Sequence, residues 1–265
     1  MQLSIIIPCY NESENVEKLR LELLPVLNDL LDREARPSLE TIPIEITSIE
    51  LIFVDDGSRD HTLEKLSESF ASNPNPAVRT CFERHPVNLG LGAAIRTGFA
   101  AASGEIIVTM DSDGTYQFST LPALLACLEP EVDLVTASPY HPKGSVIGVP
   151  AYRLILSRGS SLIYQLLVSR QIHTYTCLYR AYRQGVVRNI SFGSNGFLAN
   201  TEILVQAIFK GYQVKEYPAV LSKRMYGVSK AKILRIILSH LAYQWEVLRI
   251  RASRSRSTEV SKAQA

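Results

Sequence analysis

Four times between Leu3 and Pro122 the chain runs an apolar stretch into a cluster of acids, amides or glycines, and then into a segment with helical spacing. Residues 3–7 are stopped by Pro8 and followed by Tyr10-Asn11-Glu12. Residues 48–54 end in Asp55-Asp56-Gly57-Ser58, residues 78–82 lead to Asn88-Leu89-Gly90-Leu91-Gly92, and residues 106–110 end in Asp111-Ser112-Asp113-Gly114. Short apolar runs rich in Ile and Val read as strands buried on both faces. Helices are expected after each: from a cap at Asn11–Ser13 through Val16, Leu19, Leu23 and Leu24, over 62–70, over 93–103, and from near Pro122, since proline is tolerated in a first turn. Residues 33–47 read as a lengthened connection. Strands alternating with helices define an α/β fold with a mostly parallel sheet flanked by helices. In such sheets ligands bind beyond the carboxyl ends of the strands, and all four polar clusters fall there.

Composition enters through its distribution. Residues 1–150 hold 10 Lys or Arg against 22 Asp or Glu, a net of −12, and residues 151–265 hold 18 against 4, a net of +14. The chain total of +2 therefore conceals an acidic half joined to a basic one, which points to a polyanionic partner on the basic side. Nucleic acid is not the expected partner, because no recognised binding module is present and aromatics do not alternate with the basic residues. A hydrophobic fraction of 46% with 20% charged residues excludes a disordered tail protein, a collagen and a disulfide scaffold. Cys9, Cys81, Cys127 and Cys177 form no CxxC pair, which fits a reducing compartment. With no signal-peptide pattern and no run of roughly 18 apolar residues for a transmembrane helix, a cytoplasmic protein is expected, free or peripheral on a membrane.

The basic half contributes two long helices. One, over 152–168, places Arg153 and Ser157 one turn apart on one face. The other, over 230–251, carries Leu234, Ile237, Leu238, Leu241, Trp245 and Leu248 on one stripe, with Lys232, Arg235, Ser239, Glu246 and Arg249 opposite. Two readings stand for that helix: the stripe packs on the domain core, or the helix lies on an anionic lipid surface. The expected organisation is a catalytic domain over 1–222, a basic amphipathic helical extension over 223–251, and a disordered tail over 252–265.

Asp111-Ser112-Asp113 is the most informative triplet. In an extended segment residues i and i+2 point the same way, so both carboxylates can face one point beyond the strand. Two hard oxygen ligands there suit Mg²⁺ or Mn²⁺ bridging to substrate phosphates, and the plainer alternative is a helix cap. Asp55 is placed to accept from the N–H edge of a base or from ribose hydroxyls, whereas Asp56 and Ser58 read as an Asx turn and helix cap. The chain has neither GxGxxG nor GxxxxGK[ST], so dinucleotide oxidoreductases and P-loop NTPases fit poorly.

These motifs resemble those of a family 2 glycosyltransferase of the GT-A (Rossmann-like) fold, in the group of dolichol-phosphate mannose synthases and other polyprenyl-phosphate glycosyltransferases. The matching stretches are Ile6-Ile7-Pro8-Cys9-Tyr10-Asn11-Glu12, Val54 to Asp60, Asn88 to Gly92, Met110 to Gly114, Arg153 to Ser157, and Arg224-Met225-Tyr226-Gly227-Val228-Ser229-Lys230. The resemblance implies that Pro8, Tyr10, Glu12, Asp55 and Asp111 hold the donor nucleotide, a UDP- or GDP-sugar. It implies that Asp111, Asp113 and Gln117 hold the metal, that Asp113, Arg153 and Arg224 are catalytic, and that Arg153, Ser157, Arg180 and Lys230 receive an acceptor phosphate. Two departures stand out. Where many relatives read Asp-x-x-x-Gly-Phe-Arg, this chain has Thr174-Tyr175-Thr176-Cys177-Leu178-Tyr179-Arg180, and Ser138-Pro139-Tyr140 stands where relatives often place an Arg.

A physical argument also favours a phosphate acceptor. A sugar hydroxyl needs a general base at neutral pH, and where many family 2 enzymes carry a Glu-Asp pair this chain has only Glu202 in Asn200-Thr201-Glu202-Ile203. A phosphate monoester, with its second pKa near 6, is already an anionic nucleophile. The expected function is metal-dependent, inverting transfer of a sugar to a polyprenyl (dolichyl or undecaprenyl) phosphate. The alternatives are transfer to a glycan or soluble hydroxyl, with Glu202 or another acid as base, and a sugar-nucleotide-binding protein without turnover.

Overall fold

The computed structural model describes residues 1–32, 42–71, 74–224 and 233–263, with side chains in the last segment from 234 to 253. The first part is strand β1 (Gln2–Cys9), helix α1 (Val16–Leu31), β2 (Ser48–Asp55), α2 (Thr62–Phe70), β3 (Val78–Arg84), α3 (Leu91–Ala101), β4 (Ile106–Thr109) and α4 (Leu121–Ala126). Then follow β5 (Leu134–Ser138), β6 (Ser145–Ile147), α5 (Ala151–Leu167), β7 (Arg180–Arg183), α6 (Gln184–Asn189), α7 (Leu198–Phe209), β8 (Val214–Pro218), β9 (Val220–Ser222) and α8 (Ile233–Ala263).

Seven strands form one sheet in the order β3-β2-β1-β4-β7-β5-β8. The unbroken apolar runs are explained by cover on both faces. Leu3, Ile5 and Ile7 of β1 point to one side, where Leu19, Leu23 and Leu27 of α1 join them, while Ile6 points to the other with Ile52, Val54 and Ala94 of α3. Each such aliphatic side chain contributes about 1.5–3 kcal/mol on burial. Gly98 lets α3 lie close, since a Cβ there would stand 2.3 Å from Cγ2 of Ile6. The helix begins at Leu91 rather than at residue 93, because Gly90 already makes the turn with φ +105°.

Pairing is parallel except at β7, which runs antiparallel between β4 and β5. A second, two-stranded parallel sheet joins β6 to β9. Its end is fastened beside the β4 loop: Ser222 N–H donates to Thr115 O at 2.9 Å, and Lys223 N–H donates to Ile147 O at 2.9 Å.

The last helix departs from both expected details. The face that packs inward is His240, Tyr243, Gln244 and Val247, all buried, whereas Leu234, Leu238, Leu241, Trp245 and Leu248 of the apolar stripe are exposed, Trp245 by 65%. Packing of that stripe on the core is therefore corrected. The inward imidazole of His240 finds partners on α5, with Ser160 Oγ at 3.2 Å and Tyr164 OH at 3.3 Å from its Nδ1. The backbone helix also runs on to Ala263, through most of the segment expected as a disordered tail, which contains neither Pro nor Gly to stop it. Among the described residues no helix is long and apolar enough to cross a membrane.

Candidate active site

The β4 strand ends where Met110 N–H donates to Ile6 O, and the chain turns at Gly114 with φ +67°. Asp113 is buried in that turn. Its Oδ1 accepts from Thr115 N–H at 2.9 Å, and its Oδ2 lies 2.6 Å from Nε of Arg224. The same guanidinium reaches Oε1 of Glu12 at 3.4 Å. Arg224 is thus delivered by the β6–β9 sheet across the crevice onto two acids from two other strand ends. Burial first, and then the charge of Asp113 with a smaller push from Glu12, raise the Asp111 carboxyl to about 7, with Arg224 opposing them. Burial works against the charge on Arg224, but Asp113, Glu12 and Asp111 outweigh it and hold its pKa above the usual value. Three carboxylates against one arginine leave the crevice short of positive charge, and the Asp111 and Asp113 carboxylates offer hard oxygens of the kind a divalent cation takes. Gln117 lies exposed just beyond, ahead of a short 3₁₀ turn. Among the described residues no group of three acids, histidines or cysteines is arranged to ligate a metal unaided.

The loops that follow β1 and β2 are stitched together. Asn11, held at φ +50°, donates its N–H to Ser58 Oγ at 2.9 Å and accepts Arg59 N–H on Oδ1 at 2.7 Å. Glu12 N–H donates to Thr62 Oγ1 at 2.8 Å, and Asn15 Nδ2 donates to Glu12 Oε2 at 2.5 Å. Pro8 and Tyr10 line the same strand end, half-buried. Asp55 is 1% exposed: Oδ1 accepts Ser58 N–H at 3.0 Å, while Oδ2 takes no hydrogen bond among the described residues and has Nε of Arg84 at 3.5 Å. Asp56 is fully engaged in shaping the glycine loop. It accepts from the N–H groups of Leu89 and Gly90 and from Asn88 Nδ2, and contacts Nδ1 of His85 at 2.7 Å. The Asx turn and helix cap expected of Asp56 and Ser58 are not what they make: the Asx-type bond comes from Asp55 to Ser58 N–H, Asp56 holds the 88–90 loop, and α2 starts after His61 with no side-chain cap.

On α5, Ser157 shares a 2.8 Å hydrogen bond with Thr176, and Arg153 is half-buried one turn before it. The two departures from the family pattern meet each other: Ser138 Oγ and Thr174 Oγ1 are 2.7 Å apart and both buried. Arg180 is a correction. It is completely buried in β7, with Nε donating to Thr136 Oγ1, one terminal nitrogen to Asn200 O and the other to Tyr175 O. Although Arg180 pairs with Thr109 at the end of β4, its donors are spent on these neutral acceptors inside the fold. Glu202 accepts the N–H groups of Gly193 and Ser194 at 3.0 and 2.9 Å and organises that loop. Lys230 lies outside the described residues.

Sequence reasoning missed Arg84 and Arg158. Arg84 sits opposite Asp55 in the β2–β3 register, a placement readable only once β3 is known to extend two residues past 82. Arg158 lies over the Tyr140 ring at 5.5 Å, beside a cavity of about 180 Å³ lined in part by Leu154 and Val146. Nothing in its sequence context distinguishes it from a solvated arginine.

An acid-lined crevice at the carboxyl ends of a mostly parallel sheet, bordered by a basic layer, defines a GT-A-type transferase. Residues 4–191 match the model of glycosyl transferase family 2, and the chain belongs to that family. It is 30% identical over 258 residues to a dolichol-phosphate mannosyltransferase of Pyrococcus furiosus, covering 94% of this chain and 66% of that protein. It is 31% identical over 232 residues to a polyprenol monophosphomannose synthase of Mycolicibacterium smegmatis, covering 85% of this chain and 79% of that one. Among solved structures it is similar to glucosyl-3-phosphoglycerate synthase of Mycobacterium tuberculosis, crystallised with Mn²⁺, UDP and glucosyl-3-phosphoglycerate, at a TM-score of 0.64 and 17% identity, covering 92% of this chain and 79% of that one. The same enzyme crystallised with Mg²⁺ and UDP gives a TM-score of 0.64 and the same coverage. These solved structures share the fold of the chain.

Proposed function

We propose that this chain transfers a sugar, with inversion, from a nucleotide-sugar donor to a polyprenyl phosphate. The observation that carries the acceptor assignment is the state of the late acids: Glu202 accepts two backbone N–H groups, and Glu216 accepts the N–H groups of His173 and Thr174 and contacts Nδ1 of His173. Both late acids thus serve the loops they hold, which favours a nucleophile that needs no base. The names of the relatives in Pyrococcus and Mycolicibacterium support the same reading.

Asp55 would receive an N–H of the base, Glu12 would border the nucleoside with Pro8 and Tyr10, and Arg224 would neutralise the diphosphate across the cleft. Asp111 and Asp113, with Gln117 beside them, would hold Mg²⁺ or Mn²⁺, which when bound offsets charge on the leaving diphosphate. Arg153 and Ser157 would position the acceptor phosphate, one oxygen of which forms a bond to the anomeric carbon as the bond to the diphosphate breaks on the opposite face. The expected result is product from undecaprenyl or dolichyl phosphate as sole acceptor, with UDP-glucose or GDP-mannose tried first. Product only with hydroxyl acceptors would overturn the assignment. Asp113→Ala is expected to lower turnover by at least about 100-fold while shifting Tm by no more than about 3 °C, because the lost Arg224 contact is offset by relief of repulsion with Asp111. Full activity in that variant would remove Asp113 from the site.

A further inference from the structure

The acceptor phosphate proposed above carries a charge of about −1.5 to −2 at pH 7, and Arg153 offsets a single charge. Other arginines of the basic half are engaged elsewhere. Arg180 is spent on Thr136, Tyr175 and Asn200, Arg183 donates to the carbonyls of Val132 and Glu129, and Arg224 is paired with Asp113 and Glu12. Arg158 is different. Its side chain is exposed, its guanidinium lies 5.5 Å from the centre of the Tyr140 ring, and among the described residues it has no hydrogen bond or ion pair.

Helix geometry brings this cation beside the acceptor pair. With about 3.6 residues per turn, Arg153, Ser157, Leu154 and Arg158 follow one another around α5 within an arc of about 140°. Ile155, Leu162 and Leu166 fall on the opposite side and are exposed. Tyr140, in the loop after β5, bridges the two halves of that arc: its hydroxyl interacts with the Ser157 side chain, and its ring carries the guanidinium of Arg158. The cavity of about 180 Å³ that opens here is bordered by Pro139, Tyr140, Val146, Leu154 and Arg158. Ser157 is held from the other side by Thr176 at 2.8 Å.

We infer that Arg158 is a second acceptor-binding residue, meeting the phosphate oxygens from the cavity side while Arg153 and Ser157 meet them from the adjoining strip of the same helix. The inference rests on the proposed acceptor. An arginine suits this place better than a lysine, because a planar guanidinium can rest on an aromatic ring and still present paired N–H groups to a phosphate. Two arginines match the charge of a monoester, so an acceptor that brings only a hydroxyl would leave both cations without a counter-ion.

Steady-state kinetics with geranyl phosphate, a short prenyl phosphate, tests the assignment, using whichever of UDP-glucose or GDP-mannose serves as donor. Arg158→Gln is expected to raise the KM for geranyl phosphate by about tenfold, the loss of one charge-assisted hydrogen bond, with the donor KM and Tm matching those of the unaltered chain. Arg158→Lys is expected to fall between the two. Pro139→Arg, added to Arg158→Gln, returns a guanidinium to the same cavity from the β5–β6 loop and is expected to recover most of the lost affinity. A role confined to packing on Tyr140 would not be rescued by a charge from another element. An unchanged acceptor KM in Arg158→Gln overturns the inference. An equal rise in both KM values does so too, as does failure of both Arg158→Lys and Pro139→Arg to improve on Arg158→Gln. The two proposals fail differently: no product from any prenyl phosphate with the unaltered chain removes the proposed function and this assignment together, whereas product from the unaltered chain with no effect of Arg158→Gln removes this assignment alone.

Discussion

Arg224 and Arg180 are both arginines of the basic half, yet one pairs with the strand-end acids and the other is enclosed in the sheet. What separates them is the backbone. Arg224 follows β9, whose pairing with β6 carries the chain back to Thr115 and leaves the guanidinium 2.6 Å from Asp113. Arg180 opens β7 in the middle of the sheet, where neutral acceptors use all three of its nitrogens. Residue type and order cannot tell these cases apart, because the acceptors that surround Arg180 come from Thr136, Tyr175 and Asn200, which only the folded chain brings together. The acids were legible for the opposite reason: Glu12, Asp55, Asp111 and Asp113 each follow an apolar strand, and a parallel sheet gathers its strand ends on one edge. Arg153 is the residue on which the acceptor assignment bears most. Arg153→Ala is expected to raise the KM for polyprenyl phosphate by about tenfold, the loss of one charge-assisted hydrogen bond, with the donor KM nearly unchanged. Steady-state kinetics with each substrate varied in turn checks this, and an equal rise in both would place Arg153 on the donor instead.

Among the elements, α2 spans Thr62–Phe70 as its periodicity predicts, whereas α8 buries the side that periodicity assigns to neither core nor charge. A helical stripe reports that an apolar face exists and not which neighbour it meets. The buried side of α8 is polar enough to escape a hydropathy reading, with His240 held against Ser160 and Tyr164 of α5. That contact has a pH signature. Burial lowers the His240 pKa from 6.5 to about 4, so the folded chain keeps the ring neutral while the unfolded chain takes up a proton below 6.5. The stability due to the neutral ring is complete above 6.5 and is lost as pH falls through about 4, up to roughly 3 kcal/mol. His240→Gln removes this dependence. Tm measured from pH 7 to 4 is expected to fall more steeply for the unaltered chain than for the variant, and parallel curves would mean the ring is accessible to protons.

For the molecule as a whole, the charge division read from sequence has acquired positions. The acidic half supplies the strand ends, and the basic half supplies Arg224 across the cleft together with the arginines of α5 and α8. The order of the sheet was not legible, since β7 joins β4 to β5 by reversing direction and its four residues give no signal of that. One consequence concerns the making of the chain. Every residue of β5 is buried in the finished sheet, yet its only sheet partners, β7 and β8, lie later in sequence. As the chain leaves the ribosome, Leu134–Ser138 must wait with open hydrogen-bonding edges until Arg180 and then Val214 have emerged. A chain ended after Arg170 is therefore expected to give no cooperative thermal transition and to bind a hydrophobic dye, and a sharp near-native melt would show that β5 finds another partner. In a growing cell the vulnerable interval opens at β5 and closes at β8, so protection by a chaperone matters most while the basic half is being synthesised.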